Sequence, residues 1–185
     1  MLVPVLIGVA AVAFLIIVAV LIFASTRPDS FRIERSARIA APAANVFPLI
    51  NDFHQWAQWS PWENLDPNMK KTYSGSPMGP GSVYEWTGNN KVGEGRMTIL
   101  DSKPGEIVSL KLEFFKPFKA TNQGTFTLTP ADSGTNVNWS MEGKNLFVGK
   151  VFSLFMDMDK MVGKDFEKGL ANLNAVALAE TGKRA

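Results

Sequence analysis

The chain has 185 residues, with 19 basic and 17 acidic side chains, one histidine and no cysteine, for a net charge of +2. Such a length suits one domain, or a small domain with an appendage. The lack of cysteine excludes a disulfide framework and thiolate chemistry, and a charge this near zero, with both signs interspersed, argues against nucleic acid as a partner.

The hydrophobic fraction of 46% hides a segregation: from Leu2 to Ala24 run 23 residues without a charge, an Asn or a Gln, and the first charged side chain is Arg27. This pattern is at odds both with a wholly soluble protein and with a polytopic membrane protein. A helix of that length rises about 34 Å, enough to cross a hydrocarbon core of about 30 Å. Residues 1–24 are therefore read as an uncleaved transmembrane anchor. A secretory signal would carry a basic n-region and a shorter apolar stretch, and Phe23-Ala24-Ser25 is only a poor cleavage site. Arg27, Arg32, Arg35 and Arg38 follow the run and no basic residue precedes it, which predicts a single-pass protein with its domain on the cytoplasmic side.

Residues 25–30, with Pro28, read as a short linker. Phe31, Ile33, Ala37 and Ile39 then alternate with polar residues, the period of a half-buried strand, with Arg35 the exception on the inward set. Pro42 opens a helical stretch over Ala43–Ile50, and a second short one covers Phe53–Trp59. Six further strands follow: Lys70–Tyr73, Ser82–Thr87, Gly95–Asp101, Glu106–Phe115, Ala120–Thr129 and Thr135–Gly143. Gly- and Pro-rich turns separate them, too short for parallel crossovers, so the sheet is antiparallel. Val108, Leu110, Leu112 and Phe114 make one face of the longest strand. From Phe147 the period becomes helical: Val151, Phe155, Met158, Val162, Phe166, Leu170, Leu173 and Ala177 form a stripe, with Asn145 as the predicted cap. Gly163 and Gly169 each cost a helix about 1 kcal/mol, which predicts close approach of the sheet or a ligand there. Residues 181–185 read as a polar, fraying tail.

The expected fold class is α+β: a curved antiparallel sheet of about seven strands around a long C-terminal helix, two short helices after the first strand, and an N-terminal transmembrane helix. This order resembles the helix-grip fold of the SRPBCC superfamily, which includes START lipid-transfer domains and polyketide cyclase/dehydrase-like proteins. The match covers 31–180 and is most similar to a membrane-anchored bacterial polyketide-cyclase-like group. The residues that carry it are Trp56-Ala-Gln-Trp59-Ser-Pro-Trp62-Glu63, Asp66-Pro67, Gly88-Asn89 with Gly93-Glu-Gly95, and Met161-Val-Gly163-Lys-Asp165-Phe166-Glu-Lys-Gly169-Leu170.

The resemblance implies a hydrophobic cavity between sheet and long helix. Trp56, Trp59, Trp62, Tyr84, Trp86, Trp139, Phe155, Met158, Val162 and Phe166 are the residues expected to line it. The ordinary alternative is that they fill a core, because aromatic composition alone does not distinguish the two. For proton transfer the candidates are Glu63, Glu85 and His54, with Asp66, Glu94 and Glu113 as further acids and Tyr84 and Arg96 as orienting groups. His54 is the only histidine, which argues against a zinc or His-carboxylate iron centre. No P-loop or dinucleotide fingerprint occurs, so no metal and no cofactor is expected. The leading expectation is a tethered domain that binds a hydrophobic small molecule such as a lipid, isoprenoid or polyketide-like compound. The alternatives are a cyclase or dehydratase using an inward carboxylate, and a membrane-anchored module docking a protein through its Trp cluster.

Overall fold

The computed structural model describes residues 2–184. Met1 and Ala185, the outermost residues of the predicted anchor and tail, lie outside the described residues. Helix α1 (Leu2–Ser25) is followed by strand β1 (Ser30–Ile39), helix α2 (Ala43–Asn51) and a 3₁₀ helix (Phe53–Gln58). Strands β2 (Lys70–Gly75), β3 (Ser82–Thr87), β4 (Glu94–Lys103), β5 (Ile107–Lys116), β6 (Ala120–Ala131) and β7 (Gly134–Lys144) come next, then helices α3 (Phe147–Phe152) and α4 (Met158–Arg184).

The seven strands form one antiparallel sheet in the order β1-β7-β6-β5-β4-β3-β2. Short hairpin turns dictate this meander from β2 to β7. β1 closes on β7 in unbroken register from Ser30 opposite Lys144 to Ile39 opposite Thr135. The alternation of apolar and polar residues sends Val108 and Leu110 of β5, Phe126 and Leu128 of β6, and Val137 and Trp139 of β7 to the same inner face, where all are buried. Helix α4 lies on that face through Phe166, Leu170, Leu173 and Ala177, none more than 2% exposed. Removing each large side chain of this stripe from water contributes about 1.5–3 kcal/mol.

Two of the three glycines of α4, Gly163 and Gly169, mark where the sheet comes closest. A Cβ at Gly163 would stand 2.0 Å from Nη2 of Arg35, and one at Gly169 would stand 2.7 Å from Cζ3 of Trp139. Arg35, the charge on the inward set of β1, is thus a latch. Its Nε donates to Glu167 Oε1 at 2.8 Å, and its Nη1 and Nη2 donate to the Asp159 carboxylate at 3.1 and 3.0 Å, all on α4.

Three expectations are corrected. The predicted single helix from Phe147 is two helices, broken over residues 153–157, because α3 packs beside the end of α1 rather than on the sheet. Asn145 does not cap it: the N-cap of α3 is Leu146, which offers no side-chain hydrogen bond, and the Asn145 amide donates instead to Pro28 O at 3.2 Å. The helix runs past the predicted boundary at residue 181, since α4 continues to Arg184 and Thr181 Oγ1 donates back to Ala177 O at 2.9 Å.

Helix α1 is apolar on every side and largely exposed from Val3 onward, except toward its C-terminal end, where Ala24 is fully buried. Residues 3–25 are long and apolar enough to cross a membrane.

Candidate functional site

The 3₁₀ helix and the loop after it close the open side between α4 and the sheet. In a 3₁₀ helix residues three apart eclipse, which brings Trp56 and the C-cap Trp59 together, ring centroids 4.8 Å apart and tilted by 50°. Both indoles are pinned: Trp56 Nε1 donates to Ile50 O and Trp59 Nε1 to Leu49 O, each at 2.9 Å. Asp52 caps this helix by accepting from His54 N at 2.9 Å. Burial raises the Asp52 carboxyl, but the hydrogen bonds from His54 and Gln55 outweigh it and hold the group below its usual value. Pro61 then turns the chain so that Trp62 meets Trp139 and Phe166 edge-on. Trp139 lies flat between Phe166, at 4.1 Å, and Phe126, at 4.7 Å.

Beside this aromatic stack is a cavity of about 230 Å³. Its walls are Trp56, Trp62, Met69, Tyr84, Trp86, Val92, Met97, Leu110, Leu112, Phe114, Gly124, Trp139, Met141, Val162 and Phe166, with Ser60, Glu63, Lys91 and Asp165 as the polar members. Pocket walls of this kind, apolar with a few convergent polar groups, are the usual form of small-molecule sites, although the volume lies below the common range of about 300–1,000 Å³. A dry apolar cavity of about 150 Å³ takes benzene, so the space here accommodates a fused-ring or branched apolar group.

Gly124 on the wall and Gly95 beside it leave room for the wall side chains Leu110 and Trp86. A Cβ at Gly124 would stand 2.8 Å from Leu110 Cδ1, and one at Gly95 would stand 2.5 Å from the Trp86 ring. Trp86 in turn donates from Nε1 to Val92 O at 2.9 Å, tying the pocket wall to the β3–β4 turn. Asp66 secures the same turn from below, accepting from Asn89 N at 2.7 Å and Asn68 N at 3.0 Å.

One ionisable cluster faces the cavity. The Glu63 side chain is 5% exposed, accepts from Tyr84 Oη at 2.9 Å and pairs with Lys71 Nζ on the neighbouring edge strand. Burial first, then the negative Glu63 beside it, push the Tyr84 phenol far above its ordinary value, so it stays a neutral donor. Tyr73, stacked on Tyr84 at 5.3 Å, is raised by burial and by Glu63 as well. Chemically the cluster offers one buried carboxylate held between a cation and a phenol.

Of the side chains expected at a ligand site, Trp56, Trp62, Tyr84, Trp86, Trp139, Val162 and Phe166 line the cavity. Trp59 is buried behind Trp56 and does not reach it. Phe155 and Met158 are 72% and 41% exposed and lie outside it, because the helix break carries them past the end of the sheet. Of the three proton-transfer candidates only Glu63 faces the cavity. Glu85 projects from the outer face of the sheet and pairs with Arg96 at 2.6 Å. His54 is half-exposed, bound through Nδ1 to Asp52 at 2.8 Å and stacked on Tyr73. Among the further acids, Glu94 pairs with Lys116 and Glu113 with Lys111 at the sheet surface. Sequence reasoning missed Lys71 and the wall residues Met69, Val92, Met97, Met141 and Gly124. The inward face of β5, already read from alternation, was the signal that could have found Leu110, Leu112 and Phe114. Among the described residues, no three His, Asp or Glu side chains converge as metal ligands.

A family described as polyketide cyclase / dehydrase and lipid transport matches residues 30–178. The chain belongs to that family. The match spans every strand and nearly all of α4, and leaves α1 outside it. No curated protein sequence matches this polyketide cyclase/dehydrase-family chain. Solved structures share its fold. A protein of Chromobacterium violaceum is 17% identical with a TM-score of 0.57, covering 82% of this chain and 98% of its own. A protein of Rhizobium loti is 20% identical with a TM-score of 0.54, over 80% and 95% of the two chains. The di-domain ARO/CYC StfQ of the steffimycin biosynthetic pathway is 12% identical with a TM-score of 0.59, over 83% of this chain and 52% of its own.

Proposed function

We propose that this family member is a single-pass membrane protein whose domain binds a hydrophobic small molecule, a lipid, isoprenoid or polyketide-like compound, between its sheet and α4. The observation that carries the reading is the aromatic- and methionine-lined cavity of about 230 Å³ within the hydrophobic core, walled by buried core residues such as Trp56, Tyr84, Trp139 and Phe166. Three methionines in the wall, Met69, Met97 and Met141, supply flexible, polarizable contacts that suit an irregular apolar guest. The exposed apolar helix α1 supports the tether, because a ligand that partitions into lipid then meets the pocket at the bilayer surface. The basic residues after α1 support a cytoplasmic domain.

The test is extraction of cargo. Full-length protein purified in mild detergent and extracted with organic solvent yields an apolar compound by mass spectrometry, and Leu112→Trp, which fills the pocket from β5, yields none. Equal extracts from the two proteins would sink the reading.

A second reading is favoured by one observation, the buried Glu63 on the cavity wall. A carboxylate there is positioned to take a proton from a bound polyketide-like substrate and return it, the step a cyclase or dehydratase needs. Under this reading Glu63→Gln retains cargo and abolishes conversion. The protein-docking reading of the Trp cluster finds no support, since Trp56 and Trp59 are 3% and 1% exposed.

A further inference from the structure

Among the described residues outside α1, thirteen large apolar side chains are strongly exposed, and nine of them fall in one place: Phe118 in the β5–β6 turn and eight between Leu146 and Met161. Phe155 is the most exposed of these at 72%, and Phe118 follows at 60%. The two stretches are one surface, because the rings of Phe118 and Phe152 stand 6.2 Å apart. An apolar patch of this kind on a soluble domain marks an interaction site.

The topology says which way that surface faces. The start of β1 and of β6 and the ends of β5 and β7 share one end of the sheet, as the register of Ser30 with Lys144 and of Phe114 with Ala120 requires. Helix α1 ends five residues before β1, at this same end. The chain between them is not a loose tether. Asn145 N donates to Asp29 O at 2.8 Å, Lys150 pairs with the Asp29 carboxylate, and α3 packs against the end of α1. The apolar patch is therefore held beside the C-terminal end of α1. The cavity residues Lys91 and Val92, in the β3–β4 turn, belong to this end too.

Charge agrees. Lys91, Lys119 and Lys144 are exposed around the patch, and among the described residues no acid pairs with them. Exposed aromatic and aliphatic residues ringed by lysines are the composition of a segment that lies in a bilayer interface, its apolar side chains among the acyl chains and its cations among anionic headgroups.

We infer that α3, the turn into α4 and Phe118 form a second membrane contact that seats the cavity mouth on the bilayer in which α1 is anchored, so that an apolar ligand passes between lipid and pocket without crossing water. The inference rests on the membrane-tethered reading above. It differs from that reading in assigning the domain a fixed, half-embedded orientation instead of free motion on a linker.

The chain has no cysteine, so single-cysteine variants label cleanly. Full-length Phe118→Cys, Phe155→Cys and, at the opposite end of the sheet, Asp132→Cys are labelled with an environment-sensitive fluorophore and reconstituted into vesicles of phosphatidylcholine with phosphatidylglycerol. The docked orientation predicts blue-shifted emission at 118 and 155, quenched by nitroxide-bearing acyl chains, and iodide quenching confined to 132. Iodide quenching at 118 and 155 equal to that at 132 overturns it. Protection that appears only at high protein-to-lipid ratio also overturns it, because contact with another copy then explains the burial. Resistance to alkaline carbonate reports insertion of α1 separately, and the readout needs no ligand, so failure of docking is distinguishable from failure of the tether or of cargo binding. In Phe118→Ser/Phe155→Ser, transfer of a fluorescent fatty acid from vesicles slows several-fold, while binding of the same probe in detergent is unchanged. Equal transfer rates count against the inference.

Discussion

Replacing Lys71 with Met removes the cation from the Glu63–Tyr84–Lys71 cluster while keeping a side chain of similar length. Glu63 is left with one neutral donor, Tyr84 Oη at 2.9 Å, in a site where its side chain is only 5% exposed. Removing one partner of a fully buried ion pair costs about 3–5 kcal/mol. Here Lys71 keeps 28% of its side chain in water, so screening lowers the expected cost to about 2–3 kcal/mol at pH 7. Urea unfolding of wild type, Lys71→Met and Glu63→Gln/Lys71→Met at pH 7 measures this, and the double variant should recover most of the loss. A penalty below about 1 kcal/mol for Lys71→Met, or a double variant no more stable than Lys71→Met, would show that the cluster does not hold Glu63 in this way.

Two further outcomes follow from the same geometry. Gly163→Ala places a methyl group where Arg35 lies, 2.0 Å from Nη2, so in wild type it breaks the latch to Asp159 and Glu167 and lowers stability. In an Arg35→Ala background the clash is gone and the helical preference for Ala dominates, so the same change stabilises by about 1 kcal/mol; thermal unfolding of the four proteins tests the reversal of sign. The chain has only two tyrosines, Tyr73 and Tyr84, and both are held above the ordinary phenol value of 10.0. A group whose folded value is raised contributes stability that is complete below its unfolded value and lost as pH rises through the folded one. Phenolate absorbance of the native protein should therefore show no step at pH 10, with Tyr84 ionising only as the protein unfolds in alkali; a full one-tyrosine step at the ordinary value would contradict the site geometry.

Much of the fold was legible because its signals are local. Alternation along β1 and β5 named the inner face, and Gly- and Pro-rich turns marked most of the hairpins. The inward Arg35 and the costly Gly163 were each recognisable as exceptions in sequence. That they are one contact, between β1 and α4, is a tertiary fact that no local pattern carries. The same limit hid Lys71, whose partner Glu63 lies in a loop eight residues before it and whose own strand reads as an ordinary exposed edge. Helical spacing also misled. Residues 146–156 carry apolar side chains on all sides, and reading only Val151 and Phe155 as a stripe continued the helix onto the sheet. The segment instead leaves the sheet, and Phe155 and Met158 face outward. The resemblance implied the cavity, and seven of the ten residues named for it line it, but its extent was not legible, because whether large residues meet or stop short of one another depends on Gly124 across strands, not on composition.

An apolar guest between sheet and α4 is detected in the bilayer itself by photolabelling. Full-length protein in lipid nanodiscs is irradiated with a benzophenone-bearing fatty acid, and the modified peptides are mapped by mass spectrometry. Adducts are expected on the wall residues Met69, Met97, Met141 and Trp62, competed by excess unlabelled fatty acid and lost in Leu112→Trp. Labelling restricted to α1 and the exposed residues 146–161, with none on those walls, would contradict it.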